Sequence, residues 1–146
     1  IKVINNSLIL IKMTSKNKIN LIKKTKKTLI NGDEDQLNRV FTNLIKNSEE
    51  AFLEKIEKYP NFKGNIDIEI TDNNDYTVIR LTDNGTGITD AKKAMTPYFT
   101  TKKKGTGLGL PIVTKIINEH SGTFEIKNKS DSTGTVIKIS FPKFNA

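Results

Sequence analysis

Asn43-Leu44-Ile45-Lys46-Asn47-Ser48-Glu49-Glu50-Ala51 lies inside the clearest helical pattern of this 146-residue chain. Around it, Leu37, Val40, Phe41, Leu44, Ile45, Ser48 and Phe52 recur at i, i+3, i+4 spacing, the signature of one helix face turned toward a core. Upstream, Asn31-Gly32 signals a turn, and Asp33 with Gln36 three residues on resembles a capping box that opens the helix. Downstream, Tyr59-Pro60 ends it by about residue 58, because proline disfavours helical geometry in the residue before it. Beside the apolar face runs a polar stripe, Asn43, Asn47 and Glu50 at i, i+4 and i+7, with Asn47 central.

Working outward, Ile66, Ile68 and Ile70 alternate with polar residues, and Val78, Ile79 and Leu81 follow after an Asn73-Asn74 turn, so two strands are expected there. A segment of about twenty residues, 84–106, then shows no periodic pattern, and unpatterned loops of that length are usually functional lids. A second helix is expected from about Gly109 to His120, with Pro111 in its first turn and Gly122 just past its end. Phe124 and Ile126, then Ile137, Ile139 and Phe141, read as a closing hairpin turned around residues 130–134. Before the main helix, Ile1, Ile4, Leu8 and Ile11 suggest a short opening helix, and residues 18–24 with 28–31 a brief hairpin pair. This order predicts one α+β domain over residues 1–146, a helical layer on one face of a mainly antiparallel sheet.

Composition narrows the chemistry. There is no cysteine, so neither disulfides nor thiolate catalysis are available, and a lone His120 cannot build a multi-histidine metal site. The helix-end position of His120, with Gly122 following, marks it as structural. The net charge of +8 comes from the first 32 residues, which hold eight lysines and no acid, whereas the remainder is balanced. Arg39 and Arg80 are the only arginines, which argues against reading of nucleic-acid base edges. Lysines on strand edges also discourage edge-to-edge pairing. No apolar run reaches the roughly 20 residues of a membrane span, so no membrane contact is expected of this stretch, and its opening on Ile1 reads as a fragment of a longer protein.

Two glycine-rich segments carry chemistry. Asp83-Asn84-Gly85-Thr86-Gly87 ends a strand, and Asp83 shares strand parity with Ile79 and Leu81, which points its carboxylate to the covered side of the sheet. A buried carboxylate needs a donor. The exocyclic amine of adenine is one, and glycines allow close approach to a flat ring, although Asp-Asn-Gly is also an ordinary turn. Gly105-Thr106-Gly107-Leu108-Gly109-Leu110 leads into a helix, where free N–H groups can receive phosphate; a flexible hinge is the alternative, and the two are compatible. Neither a P-loop nor a dinucleotide fingerprint occurs. The amide oxygen of Asn47 suits Mg²⁺, a hard cation that takes its remaining ligands from water and phosphate, although an Asn alone on a helix is more often an ordinary solvated polar position.

In order along the chain, Asn43 to Ala51 resembles the N box, Asp83 to Gly87 the G1 box, Pro97-Tyr98-Phe99-Thr100-Thr101-Lys102 the F-box region of a lid, and Gly105 to Leu110 the G2 box. Together they resemble the ATPase domain shared by histidine kinases, type II topoisomerases, Hsp90 chaperones and the mismatch-repair protein MutL. With Ile112-Val113 and His120-Ser121-Gly122, the pattern looks most like nitrogen-regulation sensor kinases of the NtrB and NtrY type.

The resemblance implies a two-layer α/β sandwich of the Bergerat type, a mixed, mainly antiparallel sheet covered on one face by about three helices, with a flexible ATP lid. It implies ATP and Mg²⁺ as cofactors, with Mg²⁺ on Asn47. It assigns ATP contacts to Asn47, Glu50, Asp83, Gly85, Gly87, Ile88, Thr100, Thr101, Lys102, Gly105, Thr106, Gly107, Leu108, Gly109 and Leu110. Its partners would be a dimerising phosphoacceptor domain of the same protein, as a homodimer, and a cognate response regulator. The domain would be cytoplasmic, in a protein that an inner-membrane anchor could hold. Asn43 joins Asn47 in setting the reaction: hydrolysing relatives carry a water-activating Glu four residues before the N-box Asn, and Asn43 stands there. Histidine already offers a lone pair and needs no such base. A conformational ATPase, an anti-σ serine kinase and a degenerate docking module remain the alternatives.

Overall fold

The computed structural model describes residues 18–23, 32–87, 109–130 and 132–142. Strand β1 (Lys18–Lys23), helix α1 (Glu34–Lys58), strands β2 (Asn65–Asp72) and β3 (Tyr76–Asp83), helix α2 (Gly109–Glu119), and strands β4 (Thr123–Asn128) and β5 (Thr135–Pro142) follow one another. The strands form one five-stranded sheet in the order β1-β2-β3-β5-β4, with β1 parallel to β2 and every other pair antiparallel.

Helix α1 has the expected bounds. Asp33 caps it by accepting a hydrogen bond from the Gln36 backbone N–H at 3.0 Å, and the Tyr59 N–H donates to the Lys55 carbonyl at its end. The expected apolar positions, Ser48 included, are buried, and Ala51 joins them. Period-two alternation turns Ile66, Ile68 and Ile70 of β2, Ile79 and Leu81 of β3, and Ile137, Ile139 and Phe141 of β5 to the same face. Val113, Ile116 and Ile117 of α2 complete this core. Phe41, Phe52 and Phe141 are among its fully buried side chains, each worth about 1.5–3 kcal/mol of burial. That outweighs the few tenths of a kcal/mol per residue by which helix propensities differ, so packing on the sheet fixes the helices. The opposite face carries charge: Glu69 pairs with Arg80, Arg80 with Lys138, and Lys138 with Glu125, along one rung across four strands.

The N-terminal hairpin needs correction. Residues 18–23 form a strand, but it pairs in parallel with β2, Lys18 opposite Asn65 and Lys23 opposite Ile70. Parallel partners require a crossover, and α1 supplies it. Residues 28–31 and the opening helix over residues 1–11 lie outside the described residues, so two helices rather than three are seen among those described. Helix α2 stops one residue short of His120. There Gly122 N–H donates to the Ile117 carbonyl and Ser121 N–H to that of Asn118, a Schellman ending. Its left-handed position is filled by Ser121, at φ 58°, not by Gly122.

His120 joins the two helix ends. A backbone N–H can only donate, so the 3.0 Å contact from Asp33 N makes Nε2 the acceptor, and Nδ1 carries the proton it donates to the Ile116 carbonyl at 2.8 Å. Both ring nitrogens are thereby committed to the scaffold.

Candidate nucleotide-binding site

The site is built where the end of β3 meets the middle of α1. Asp83 is the last residue of its strand and 5% exposed, on the helix-covered face as its parity with Ile79 and Leu81 requires. Its Oδ2 accepts from the Ser48 hydroxyl at 2.7 Å; its Oδ1 accepts from Gly85 N–H at 2.9 Å and from Thr135 N–H at 3.3 Å. Oδ1 thus has its two lone pairs occupied, while Oδ2 keeps one acceptor direction for a further donor.

The loop after Asp83 is held from several sides. Asn84 accepts the Asn65 N–H through Oδ1 at 2.8 Å and donates from Nδ2 to the Lys63 carbonyl at 3.1 Å. Gly85 lies buried against α1: a Cβ there would stand 2.8 Å from that of Ala51, closer than side chains approach. Gly87, at φ 82°, is half-buried. Gly134, at φ 145°, lets the β4–β5 turn close on Asp83, since a Cβ there would collide with the Asp83 carbonyl oxygen.

Asn43, Asn47 and Glu50 are half-buried along one side of α1, as the stripe requires. Asn47 immediately precedes Ser48, so its side chain is rotated about 100° around the helix from the one that binds Asp83. It faces the start of α2: a Cβ on Gly109 would lie 3.3 Å from Asn47 Oδ1. The structure therefore brings Asp83, Gly85, Asn47 and Gly109 around one corner of the fold, with Leu110 half-buried in the first turn of α2. Ile88, Thr100, Thr101, Lys102, Gly105, Thr106, Gly107 and Leu108 lie outside the described residues. No group of three or more His, Cys, Asp or Glu that could hold a metal occurs among the described residues.

Sequence reasoning missed three contributors. Ser48 was expected as a core-facing residue, and it is 2% exposed, but its hydroxyl serves Asp83. Thr135 serves through its backbone, which no side-chain pattern reveals. Lys55 donates to the carbonyls of Asn84 and Gly85; its i+7 spacing from Ser48 was a signal, obscured among many lysines.

Residues 32–145 match the family model described as histidine kinase-, DNA gyrase B-, and HSP90-like ATPase. Sporulation kinase A of Bacillus subtilis is 40% identical over 116 residues, which cover 78% of this chain and 18% of that protein. Nitrogen regulation protein NtrY of Azorhizobium caulinodans is 35% identical over 109 residues, covering 73% of this chain and 14% of that protein. The nitrogen-regulation type is therefore among the relatives, alongside sporulation kinases. The chain spans less than a fifth of the length of these curated relatives. Among solved structures, a nucleotide-free catalytic domain of histidine kinase ThkA superposes with a TM-score of 0.77 at 26% identity, covering 95% of this chain and 89% of that one. Buried Asp83, the half-buried Asn47 stripe and the family match converge: this chain belongs to the histidine kinase-, DNA gyrase B- and HSP90-like ATPases.

Proposed function

We propose that this chain is the ATP-binding catalytic domain of a two-component sensor histidine kinase, which passes the γ-phosphoryl group of ATP to a histidine outside these 146 residues. One observation carries the reading. Asp83 is a buried carboxylate fixed by three protein donors, with one acceptor direction of Oδ2 left over. The exocyclic amine of adenine is the donor that would complete it.

Asn47, one residue from Ser48 and beside Gly109, offers an amide oxygen at the point where phosphates would reach the N-terminus of α2. The amide oxygen of Asn47 is a ligand type that suits Mg²⁺, which keeps several waters and shares phosphate oxygens; when bound it would neutralise charge on the triphosphate. In the transfer, the imidazole lone pair forms the N–P bond while the bond from γ-phosphorus to the bridging oxygen breaks, and the electron pair leaves with ADP. Asn43 has no basic lone pair to activate water, and the imidazole requires none. The work of the domain is positioning and charge neutralisation. The names of the relatives, sporulation kinase and nitrogen regulation protein, support kinase over hydrolase.

The wider reading follows from the same resemblance. Residues 1–146 act as one catalytic domain that works with a dimerising phosphoacceptor domain of the same protein and a cognate response regulator, on the cytoplasmic side of the membrane. No helix among the described residues is long and apolar enough to cross a membrane. Titration calorimetry with Mg-ATP tests the core of the proposal. Asp83→Asn, which turns an acceptor-only group into one presenting an N–H₂, is expected to weaken binding at least roughly tenfold. Unchanged affinity would refute the adenine assignment, and brisk ATP hydrolysis by the isolated chain would favour a conformational ATPase.

A further inference from the structure

Ser48, Ala51 and Lys55 lie at i, i+3 and i+7 on α1, and each meets a different part of the loop that follows β3. Ser48 binds the Asp83 carboxylate, and Ala51 is the surface on which Gly85 rests. Lys55 Nζ reaches the Asn84 carbonyl at 2.8 Å, the Gly85 carbonyl at 3.5 Å and the Thr133 hydroxyl at 2.6 Å. The same ammonium stands 4.6 Å from the centroid of the Phe62 ring, which packs on the core.

We propose that Lys55 is a positioning residue for nucleotide: its ammonium ties the Asp83–Gly87 loop and the β4–β5 turn to α1, and so holds both in the arrangement that receives adenine. This rests on the reading of Asp83 as the adenine acceptor. The physical case is one of shared anchors. Asp83 takes donors from all three pieces, namely Ser48 on α1, Gly85 in its own loop and Thr135 after the turn. Those pieces must keep a fixed separation for its remaining lone pair to point at one place. The backbone bond from Gly85 sets the loop against its own strand only, and Thr135 sets the turn against that strand. Lys55 bridges helix, loop and turn at once, with hydrogen bonds from a charged donor, which are stronger than neutral ones. Its location is also selective. The two carbonyls it engages, those of Asn84 and Gly85, immediately follow the residue that would read adenine.

The test compares Lys55→Met, Lys55→Arg and Lys58→Met in the 146-residue chain, using Mg-ATP affinity by calorimetry and the thermal unfolding midpoint. Methionine keeps an unbranched apolar stem for Phe62 while removing the charge. Lys58 is an exposed lysine in the last turn of the same helix and controls for loss of a positive charge near a polyanion. Lys55→Met is expected to weaken Mg-ATP binding roughly tenfold with a midpoint within a few degrees of the parent. Lys55→Arg should recover most of that loss, and Lys58→Met should stay within about twofold of the parent. Parental affinity in Lys55→Met, or an equal loss in Lys58→Met, would overturn the positioning role. Asp83→Asn measured alongside separates the two failures: if it too binds like the parent, the adenine assignment falls, and if it alone weakens binding, only the role of Lys55 falls.

Discussion

The Ser48 hydroxyl donates to Oδ2 of Asp83 at 2.7 Å, joining the middle of α1 to the last residue of β3 across 35 residues of chain. Both groups are buried, so neither can exchange this bond for water without opening the core. Ser48→Ala would leave the carboxylate with two backbone donors. A buried acceptor that loses a partner costs about 1–3 kcal/mol, and that loss should appear as a lower urea midpoint with an unchanged m-value. Weaker Mg-ATP binding should accompany it, since the carboxylate is then held through Oδ1 alone and Oδ2 is less well fixed. Stability and affinity equal to the parent's would mean that the bond contributes nothing.

The same pair shows how much of the molecule was legible in its sequence. Leu37 to Phe52 spell one buried helix face because apolar spacing reflects burial directly, and α1, β2, β3, β4 and β5 all lie where periodicity and turn residues put them. Asp83 was legible for the same reason, since its parity with Ile79 and Leu81 turns it inward. Partnership was not. Nothing in Lys18 to Lys23 states that the strand pairs in parallel with Asn65 to Ile70, because pairing is set by where α1 delivers the chain. Ser48 fits an apolar face by size, and only three dimensions reveal that its hydroxyl has an acceptor there. Thr135 is further from legibility, since it contributes a backbone N–H that any residue but proline would supply.

Gly85 gives a steric prediction with a built-in rescue. A Cβ at this position would stand 2.8 Å from Ala51 Cβ and 3.3 Å from Asp83 Oδ1. Neither neighbour can swing away, because one is a helix Cβ and the other is held by hydrogen bonds. Gly85→Ala should therefore push the loop off α1 and weaken Mg-ATP binding by at least about tenfold. Ala51→Gly removes the opposing methyl at a helix cost of about 1 kcal/mol. The double variant should bind better than Gly85→Ala alone while being less stable than the parent. Calorimetry and urea unfolding on the same four proteins decide it, and a double variant that binds no better would place the clash elsewhere.

Asn47 gives a metal prediction. If its amide oxygen helps to hold Mg²⁺, then chelating the metal should lower ATP affinity in the parent by roughly tenfold, since the cation bridges protein and phosphate. In Asn47→Ala that dependence should shrink to about twofold, because the protein side of the bridge is gone. The readout is the ratio of ATP dissociation constants with Mg²⁺ and with a chelator. An undiminished ratio in the variant would assign the cation to other groups. Loss of affinity without a change in ratio would instead make Asn47 a direct contact to the nucleotide.

His120 gives the converse case, a residue whose loss should be felt in stability and not in ligand binding. Nε2 accepts the Asp33 N–H at the start of α1, and Nδ1 donates to Ile116 near the end of α2. The imidazole also fills the space beside Gly32, where a Cβ would collide with its Cδ2. His120→Ala removes an acceptor from the first turn of one helix and a donor from the last turn of another. The Asp33 contact is exposed, so water replaces part of it, and the net cost should be about 1–2 kcal/mol. His120→Asn should recover part of this, since an amide offers both an acceptor and a donor. Mg-ATP affinity should match the parent in both variants, because neither helix end touches Asp83 or Asn47. A phosphoryl group appearing on His120 when the chain is incubated with labelled ATP would contradict this role, since a phosphorylated ring nitrogen could not keep both scaffold bonds.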